Sequence, residues 1–243
     1  MSRASRAEVL VLGDPASAAA DRMISAAEAG GHIALAGGST PKAAYEAVAA
    51  SGADLTGATF WFGDERCVAP DHEDSNFNMV RAALFDRLDY EPNVRRMRGE
   101  LGPDEGARAY ERELADGLPD GRFDLVLLGM GPDGHCASLF PNAPALEIRD
   151  RLATGVPQAG MEPLVARITL TLAAIDAARE VAFLAAGEGK ADAVARAFGA
   201  SPSPATPSSL VDPTDGAPVV LLDEAAAALY PGTGAAGGRE GSP

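Results

Sequence analysis

FDLVLLGMGPDGH, residues 123–135, joins a continuously apolar segment to a glycine-rich turn that ends in a histidine. An apolar run that does not alternate with polar residues is typical of a strand buried on both faces, as in parallel sheets covered by helices. The stretch therefore predicts a buried parallel strand over residues 123–128, with the turn at its carboxyl end.

Short apolar segments on both sides of this stretch alternate with longer, alanine-rich amphipathic segments. Strands separated by helices predict βαβ units and a mainly parallel sheet flanked by helices, which makes the expected fold class α/β. The expected strands cover residues 8–13, 32–36, 59–63, 123–128, 168–172, 181–185 and 219–222. The expected helices cover residues 15–30, 41 to about 50, 75–84 with Ser75 as N-cap, 103–115, 190–198 and 223–229.

The chain has 243 residues, with 20 Lys and Arg against 35 Asp and Glu, and a formal net charge of −15. A chain of this size buries roughly 70–75% of its unfolded surface, so a single core is feasible. We expect one domain over residues 1–231 and a flexible, glycine-rich tail over residues 232–243. The acidic balance argues against an extended nucleic-acid or anionic-membrane surface.

Two cysteines, Cys67 and Cys136, form neither a CxxC pair nor a disulfide framework, which suits a reducing compartment. No apolar run approaches the ~18–20 residues of a membrane helix, and the run over residues 9–12 is too short for a signal peptide. We expect a cytoplasmic monomer with no membrane or nucleic-acid partner.

The segment Gly37-Gly38-Ser39-Thr40-Pro41 follows an expected strand and opens an expected helix. Its glycines permit a positive φ, Ser39 or Thr40 can cap the helix, and Pro41 suits the first helical position. Free N–H groups and the positive end of the helix dipole would attract an anion there. The alternative is an ordinary strand-to-helix turn.

Two cationic residues also follow expected strands. Arg66 ends the run Gly63-Asp64-Glu65-Arg66, where its planar guanidinium could bind a phosphate or carboxylate. The alternative is that Arg66 neutralises Asp64 or Glu65. Lys190 ends Gly187-Glu188-Gly189-Lys190 and is expected in the first turn of a helix, where a cation opposes the dipole. Such a broken local rule indicates function, although a solvated lysine is the alternative.

His135 is one of three histidines in the chain and follows the buried strand over residues 123–128. Histidine changes its charge near neutral pH and therefore suits general-base catalysis. Asp133 is close enough along the chain to orient the imidazole ring. We interpret His135 and Asp133 as candidate catalytic residues.

Other motifs of site chemistry are missing from the sequence. No His and Cys spacing is typical of zinc, the run of residues 71–74 (DHED) is typical of a solvated turn, and no GxSxG elbow supports a serine nucleophile. The GGSTP segment is neither a Walker A loop nor a dinucleotide fingerprint.

Taken together, these segments resemble the 6-phosphogluconolactonase family, in the expected order from Val9 to about Leu229. The run GMGPDGHCASLFP, residues 129–141, is the most specific part of the resemblance. The other matching runs are GGSTP at 37–41, WFGDER at 61–66, DSNF at 74–77, RITL at 167–170 and GEGK at 187–190.

The resemblance implies a Rossmann-like fold shared with glucosamine-6-phosphate deaminase and ribose-5-phosphate isomerase. It also implies cofactor-free and metal-free hydrolysis of 6-phospho-D-glucono-1,5-lactone to 6-phosphogluconate, in the oxidative pentose phosphate pathway. We expect Gly38, Ser39, Thr40, Arg66 and Lys190 to bind the substrate phosphate. In this hypothesis His135 is the general base that activates water, and Asp133 stabilises its imidazolium.

Two alternatives share parts of this pattern. A glucosamine-6-phosphate deaminase or isomerase has GGSTP-like and DGH-like segments, but it usually carries an aromatic residue where Arg66 stands and a different run at residues 137–140. A non-catalytic sugar-phosphate sensor would need a DNA-binding segment, for which the chain has neither spare length nor a basic arm.

Overall fold

The computed structural model describes residues 7–232, in which ten strands form two sheets. The strands are β1 (Glu8–Val11), β2 (His32–Leu35), β3 (Thr59–Phe62), β4 (Asp64–Arg66), β5 (Asn93–Val94), β6 (Leu125–Leu128), β7 (Ala153–Val156), β8 (Arg167–Leu170), β9 (Glu180–Ala185) and β10 (Val219–Leu222). Seven of them form a sheet in the order β1-β10-β9-β6-β2-β3-β5, with every neighbouring pair parallel.

Seven α-helices flank the strands: α1 (Pro15–Glu28), α2 (Ser39–Ser51), α3 (Asn76–Ala83), α4 (Pro103–Gly117), α5 (Leu172–Asp176), α6 (Ala191–Phe198) and α7 (Glu224–Ala227). The α/β class and the mainly parallel sheet are therefore confirmed. All four residues of β6 are buried, as its unbroken apolar character predicts. Ser75 caps α3 as expected, because its side chain accepts a hydrogen bond from the Asn78 N–H.

A second sheet, in the antiparallel order β4-β8-β7, was missed by the sequence analysis. The expected strand over residues 168–172 belongs to this sheet as β8, and residues 171 and 172 instead begin α5, with Thr171 as its N-cap. Strand β4 consists of Asp64, Glu65 and Arg66, a polar run without the apolar pattern that predicts a strand.

Two buried tyrosines hold the carboxyl ends of β2 and β3 in place. The Tyr45 hydroxyl on α2 donates to the Ala36 carbonyl (2.7 Å) and accepts from the Ala36 N–H (2.8 Å). The Tyr110 hydroxyl on α4 makes the same pair of bonds with Phe62, at 3.0 and 2.9 Å. One phenol thus satisfies both main-chain groups where each strand stops, as burial requires.

Two helix starts differ from the expectation. Helix α2 begins at Ser39, so Pro41 is its third residue, and the N-cap is Gly38, with φ of 104° and no side-chain cap. The expected capping by Ser39 or Thr40 is therefore wrong, because glycine can adopt a backbone conformation that starts the helix earlier. Lys190 ends a short 3-10 turn and precedes α6 rather than lying in its first turn.

Within residues 7–232, no helix combines the length and apolar character needed to cross a membrane. The tail expected over residues 232–243 lies outside the described residues, apart from Gly232.

A contact between β2 and β3 makes stability depend on pH. The Trp61 indole N–H donates to His32 Nδ1 (3.0 Å), and burial lowers the pKa of His32. An unfolded histidine titrates near pH ~6.5, so in acid the unfolded chain takes up the proton first. The contribution of this contact is therefore present above that pH and is lost as the pH falls below it.

We expect His32→Gln to reduce the loss of unfolding free energy that wild type shows between about pH 7.5 and about pH 5.5. Urea denaturation at the two pH values measures it. His72→Gln, on an exposed turn, is the matched control and should keep the wild-type loss. An equal loss in wild type and His32→Gln would contradict this role of His32.

Candidate active site

The four segments that carry the candidate site residues meet at one edge of the parallel sheet. They are residues 37–41, 63–66, 129–135 and 187–190. They follow β2, β3, β6 and β9, which are neighbours in the order β9-β6-β2-β3. The chain order reverses between β2 and β6, and in open α/β sheets the crevice at such a switch point binds the ligand. A cavity of about 190 Å³ lies at this point and is lined by Gly38, Arg66, His135 and Lys190, among others.

The turn after β6 brings His135 and Asp133 together. Asp133 Oδ1 lies 2.6 Å from His135 Nδ1 and accepts the His135 main-chain N–H at 3.1 Å. The Gly131 N–H donates to the His135 carbonyl (2.9 Å), which closes the turn. The histidine ring packs against Phe140, with 4.9 Å between ring centroids. We call residues 131–135 the His135 turn.

The protonation of this pair follows from its surroundings. Burial acts to raise the pKa of Asp133, but the hydrogen bond and charge of His135 outweigh it and lower that pKa. The ionised carboxylate can only accept, so a neutral His135 would carry its ring proton on Nδ1. The lone pair of His135 is then on Nε2, the position a general base uses.

The turn after β2 brings only some of its predicted phosphate-binding residues to the cavity. Gly37 and Gly38 line the cavity, whereas Ser39 and Thr40 lie on the first turn of α2 outside its lining. A Cβ on Gly37 would lie 2.1 Å from Asn76 Oδ1, so only glycine permits α3 to approach this closely. At the N-terminus of α2, it is therefore the main chain of Gly38 that lines the cavity.

Arg66 and Lys190 both line the cavity, from opposite sides of the switch point. An Arg66 guanidinium nitrogen donates to the Asp74 carbonyl (2.6 Å), and the buried Arg66 Nε has no partner among the described residues. The adjacent Glu65 instead accepts four hydrogen bonds, from the Arg66, Asn76 and Phe77 N–H groups and the Ser75 hydroxyl. Burial lowers the pKa of Lys190, which the charge of Asp133 opposes.

The sequence analysis missed Arg167 and the buried network around Asp64. Arg167 lines the cavity, is 3% exposed and donates to the carbonyls of Met161, Pro163 and Val165. Asp64 accepts from Ser138 Oγ (2.6 Å) and Asn76 Nδ2 (3.1 Å), and Arg167 Nη1 lies 3.9 Å away. The available signal was the position of Arg167, directly before the expected strand over residues 168–172.

Within residues 7–232, no group of three or more His, Cys, Asp or Glu side chains is arranged to hold a metal ion. The site instead combines a His–Asp pair with three cationic side chains, those of Arg66, Arg167 and Lys190, and Asp64 and Glu162 also line the cavity. Fold and site together define a Rossmann-like α/β protein with a charged cavity at the switch point of its sheet.

Comparison with known proteins identifies the family. The family model described as "Glucosamine-6-phosphate isomerases/6-phosphogluconolactonase" matches residues 11–220, and the chain belongs to this family. A 6-phosphogluconolactonase of Synechocystis is 42% identical over 204 residues, covering 81% of this chain and 83% of the relative. The human 6-phosphogluconolactonase is 40% identical, over 75% of this chain and 72% of its own.

Solved structures agree with the family assignment. The 6-phosphogluconolactonase of Trypanosoma brucei superposes with a TM-score of 0.81 at 30% identity, covering 91% of this chain and 98% of that chain. A monomeric glucosamine-6-phosphate deaminase superposes with a TM-score of 0.79, covering 92% of this chain and 100% of that chain. At 19% identity, the second likeness shows the shared fold alone.

The His135 turn requires glycine at position 131. A Cβ there would lie 2.1 Å from His135 Nδ1 and 2.6 Å from Asp133 Oδ1. We expect Gly131→Ala to separate the pair, because neither side chain can remain in place. The 2.6 Å contact predicts a low-field NMR resonance for the His135 Nδ1 proton in wild type, and this resonance should disappear in the variant.

The matched control is Gly13→Ala, because a Cβ at Gly13 would have no neighbouring atom within 4 Å. This variant should keep the resonance. Its persistence in Gly131→Ala would show that the turn tolerates a side chain at that position.

Proposed function

We propose that the protein hydrolyses 6-phospho-D-glucono-1,5-lactone to 6-phosphogluconate, with His135 as the general base. The observation that carries the proposal is the 2.6 Å contact between His135 and Asp133 in a cavity that three cationic side chains also line. The names of the curated relatives support the same reaction.

In the proposed mechanism, the substrate phosphate binds the main chain at Gly38, with the Ser39 and Thr40 hydroxyls, Arg66 and Lys190 as further partners. A helix N-terminus and cationic side chains are favourable for a phosphate group. The lactone carbonyl then lies near His135. His135 Nε2 removes a proton from water as the oxygen attacks C1, and Asp133 stabilises the imidazolium. The same proton passes to the ring oxygen as the ester bond breaks.

The oxyanion that forms at C1 needs hydrogen-bond donors that are already in place. Within the His135 turn, the N–H groups of Gly131, Gly134 and His135 are already bonded. Pro132 has no N–H, which leaves the Asp133 N–H as the main-chain donor of the turn outside these bonds. Arg167 is engaged by three carbonyls. The donors left for the oxyanion are the Asp133 N–H and the Arg66 guanidinium, the latter only where it is not a ligand of the phosphate.

The decisive assay couples lactone hydrolysis to 6-phosphogluconate dehydrogenase and compares the rate with spontaneous hydrolysis. Release of ammonia from glucosamine 6-phosphate would instead identify a deaminase. Binding of sugar phosphates without turnover would identify a sensor. The cytoplasmic location and the monomeric state remain predictions.

We expect His135→Ala to lower kcat about 10²–10⁴-fold, the usual effect of losing a general base, with little change in KM. Steady-state kinetics measure both constants. His72→Ala, which alters a histidine outside the cavity lining, is the control and should behave like wild type. Activity of His135→Ala close to that of wild type would remove His135 from the mechanism.

Lys190→Met should raise KM about 10- to 100-fold while kcat changes less, because a charge-assisted hydrogen bond contributes about 1.5–3 kcal/mol. The only other lysine, Lys42, lies on the exposed side of α2 and is 3.8 Å from Glu46. Lys42→Met is therefore the matched control and should keep the wild-type KM. An unchanged KM in Lys190→Met would exclude Lys190 from the phosphate site.

A further inference from the structure

The His135 turn is supported from behind by a loop that does not line the cavity. This loop, residues 203–210, is called the supporting loop below. Its Thr206, Ser208 and Ser209 are buried, with 4%, 1% and 7% of their surface exposed. Buried hydroxyl groups are unfavourable unless they are hydrogen-bonded, so the partners of these side chains show what the loop does.

Ser209 bonds inside the supporting loop. Its hydroxyl donates to the Thr206 carbonyl (2.6 Å) and accepts from the Ser203 N–H (2.8 Å). The Thr206 N–H donates to the Ser203 carbonyl (2.9 Å). These contacts hold the shape of the loop and do not reach the His135 turn.

Ser208 bonds outside the loop, to the His135 turn itself. Its N–H and its hydroxyl both donate to the Gly134 carbonyl, each at 2.9 Å. Gly134 has φ of 89°, and a Cβ there would lie 2.7 Å from Thr206 Cγ2, so loop and turn are in direct contact. The thiol of Cys136, the residue after His135, lies near the Ser208 hydroxyl.

The Gly134 carbonyl and the His135 N–H belong to one peptide unit. That unit is planar, so the direction of its carbonyl determines the direction of its N–H. Ser208 binds the carbonyl end, and Asp133 Oδ1 accepts from the N–H end at 3.1 Å. The same Asp133 oxygen accepts from His135 Nδ1. A rotation of this peptide would therefore take the His135 N–H away from the Asp133 oxygen that orients the imidazole ring.

We propose that Ser208 is a positioning residue for His135. By holding the Gly134–His135 peptide, it keeps Asp133 aligned with the imidazole Nδ1 and keeps Nε2 directed at the substrate. The predicted effect of Ser208 on kcat rests on the proposed lactone hydrolysis. Its predicted effect on the hydrogen bond between His135 and Asp133 does not.

Ser208→Ala removes the hydroxyl bond and keeps the main-chain bond. We expect kcat to fall about tenfold with KM unchanged, because small misplacements of a catalytic group lower rates to this extent or more. The low-field NMR resonance of the His135 Nδ1 proton should shift upfield or broaden. Ser208→Cys, studied with a thiol reductant because Cys136 is nearby, keeps a weak donor and should give an intermediate kcat and resonance. It provides a second variant if Ser208→Ala folds poorly.

The matched control is Ser209→Ala, which breaks bonds inside the supporting loop and none to the His135 turn. It should lower Tm while kcat and the Nδ1 resonance stay as in wild type. The proposal is overturned if Ser208→Ala and Ser208→Cys leave kcat and the resonance unchanged, or if Ser209→Ala alters both as much as Ser208→Ala does. Wild-type protein without lactonase activity would refute the proposed function, and the resonance would still test Ser208.

Discussion

The buried carboxylate of Asp64 is the constraint on which the site depends. A charge buried at 5% exposure is unfavourable unless donors surround it, and the donors come from separate parts of the chain. Ser138 reaches it from the segment after the His135 turn, Asn76 from α3 and Arg167 from β8. Satisfying one carboxylate therefore brings three segments to the edge of the parallel sheet and builds the wall of the cavity.

The next residue, Glu65, binds the start of α3. It accepts the first main-chain N–H groups of α3 and the hydroxyl of the Ser75 cap, where the helix dipole also favours a negative charge. Asn76 joins the two carboxylates, because its side-chain amide donates to Asp64 and its main-chain N–H donates to Glu65. Arg66, the third residue, is left without either carboxylate as an ion-pair partner and lines the cavity.

The charge distribution separates the surface from the site. The whole chain carries a formal charge of −15, yet in one cavity the three cationic side chains of Arg66, Arg167 and Lys190 stand against the two carboxylates of Asp64 and Glu162. Net charge concerns solubility and extended surfaces, whereas a small phosphorylated ligand responds to the few groups within hydrogen-bonding distance. An acidic protein can therefore carry a local site for an anion, and the main-chain groups at Gly38 add to it without any side-chain charge.

The amino-acid sequence by itself determined the α/β class, the parallel strands and the edge at which Gly38, Arg66, His135 and Lys190 would meet. It could do so because apolar runs show buried strands, and the carboxyl ends of parallel strands share one edge. Only the tertiary structure decided the antiparallel sheet of β4, β7 and β8 and the place of Arg167 in the cavity wall. It alone also showed the hydrogen bonds from Ser208 to the His135 turn. These depend on hydrogen bonds between residues far apart in the chain, such as Asp64 with Ser138 or Gly134 with Ser208, for which no local pattern exists.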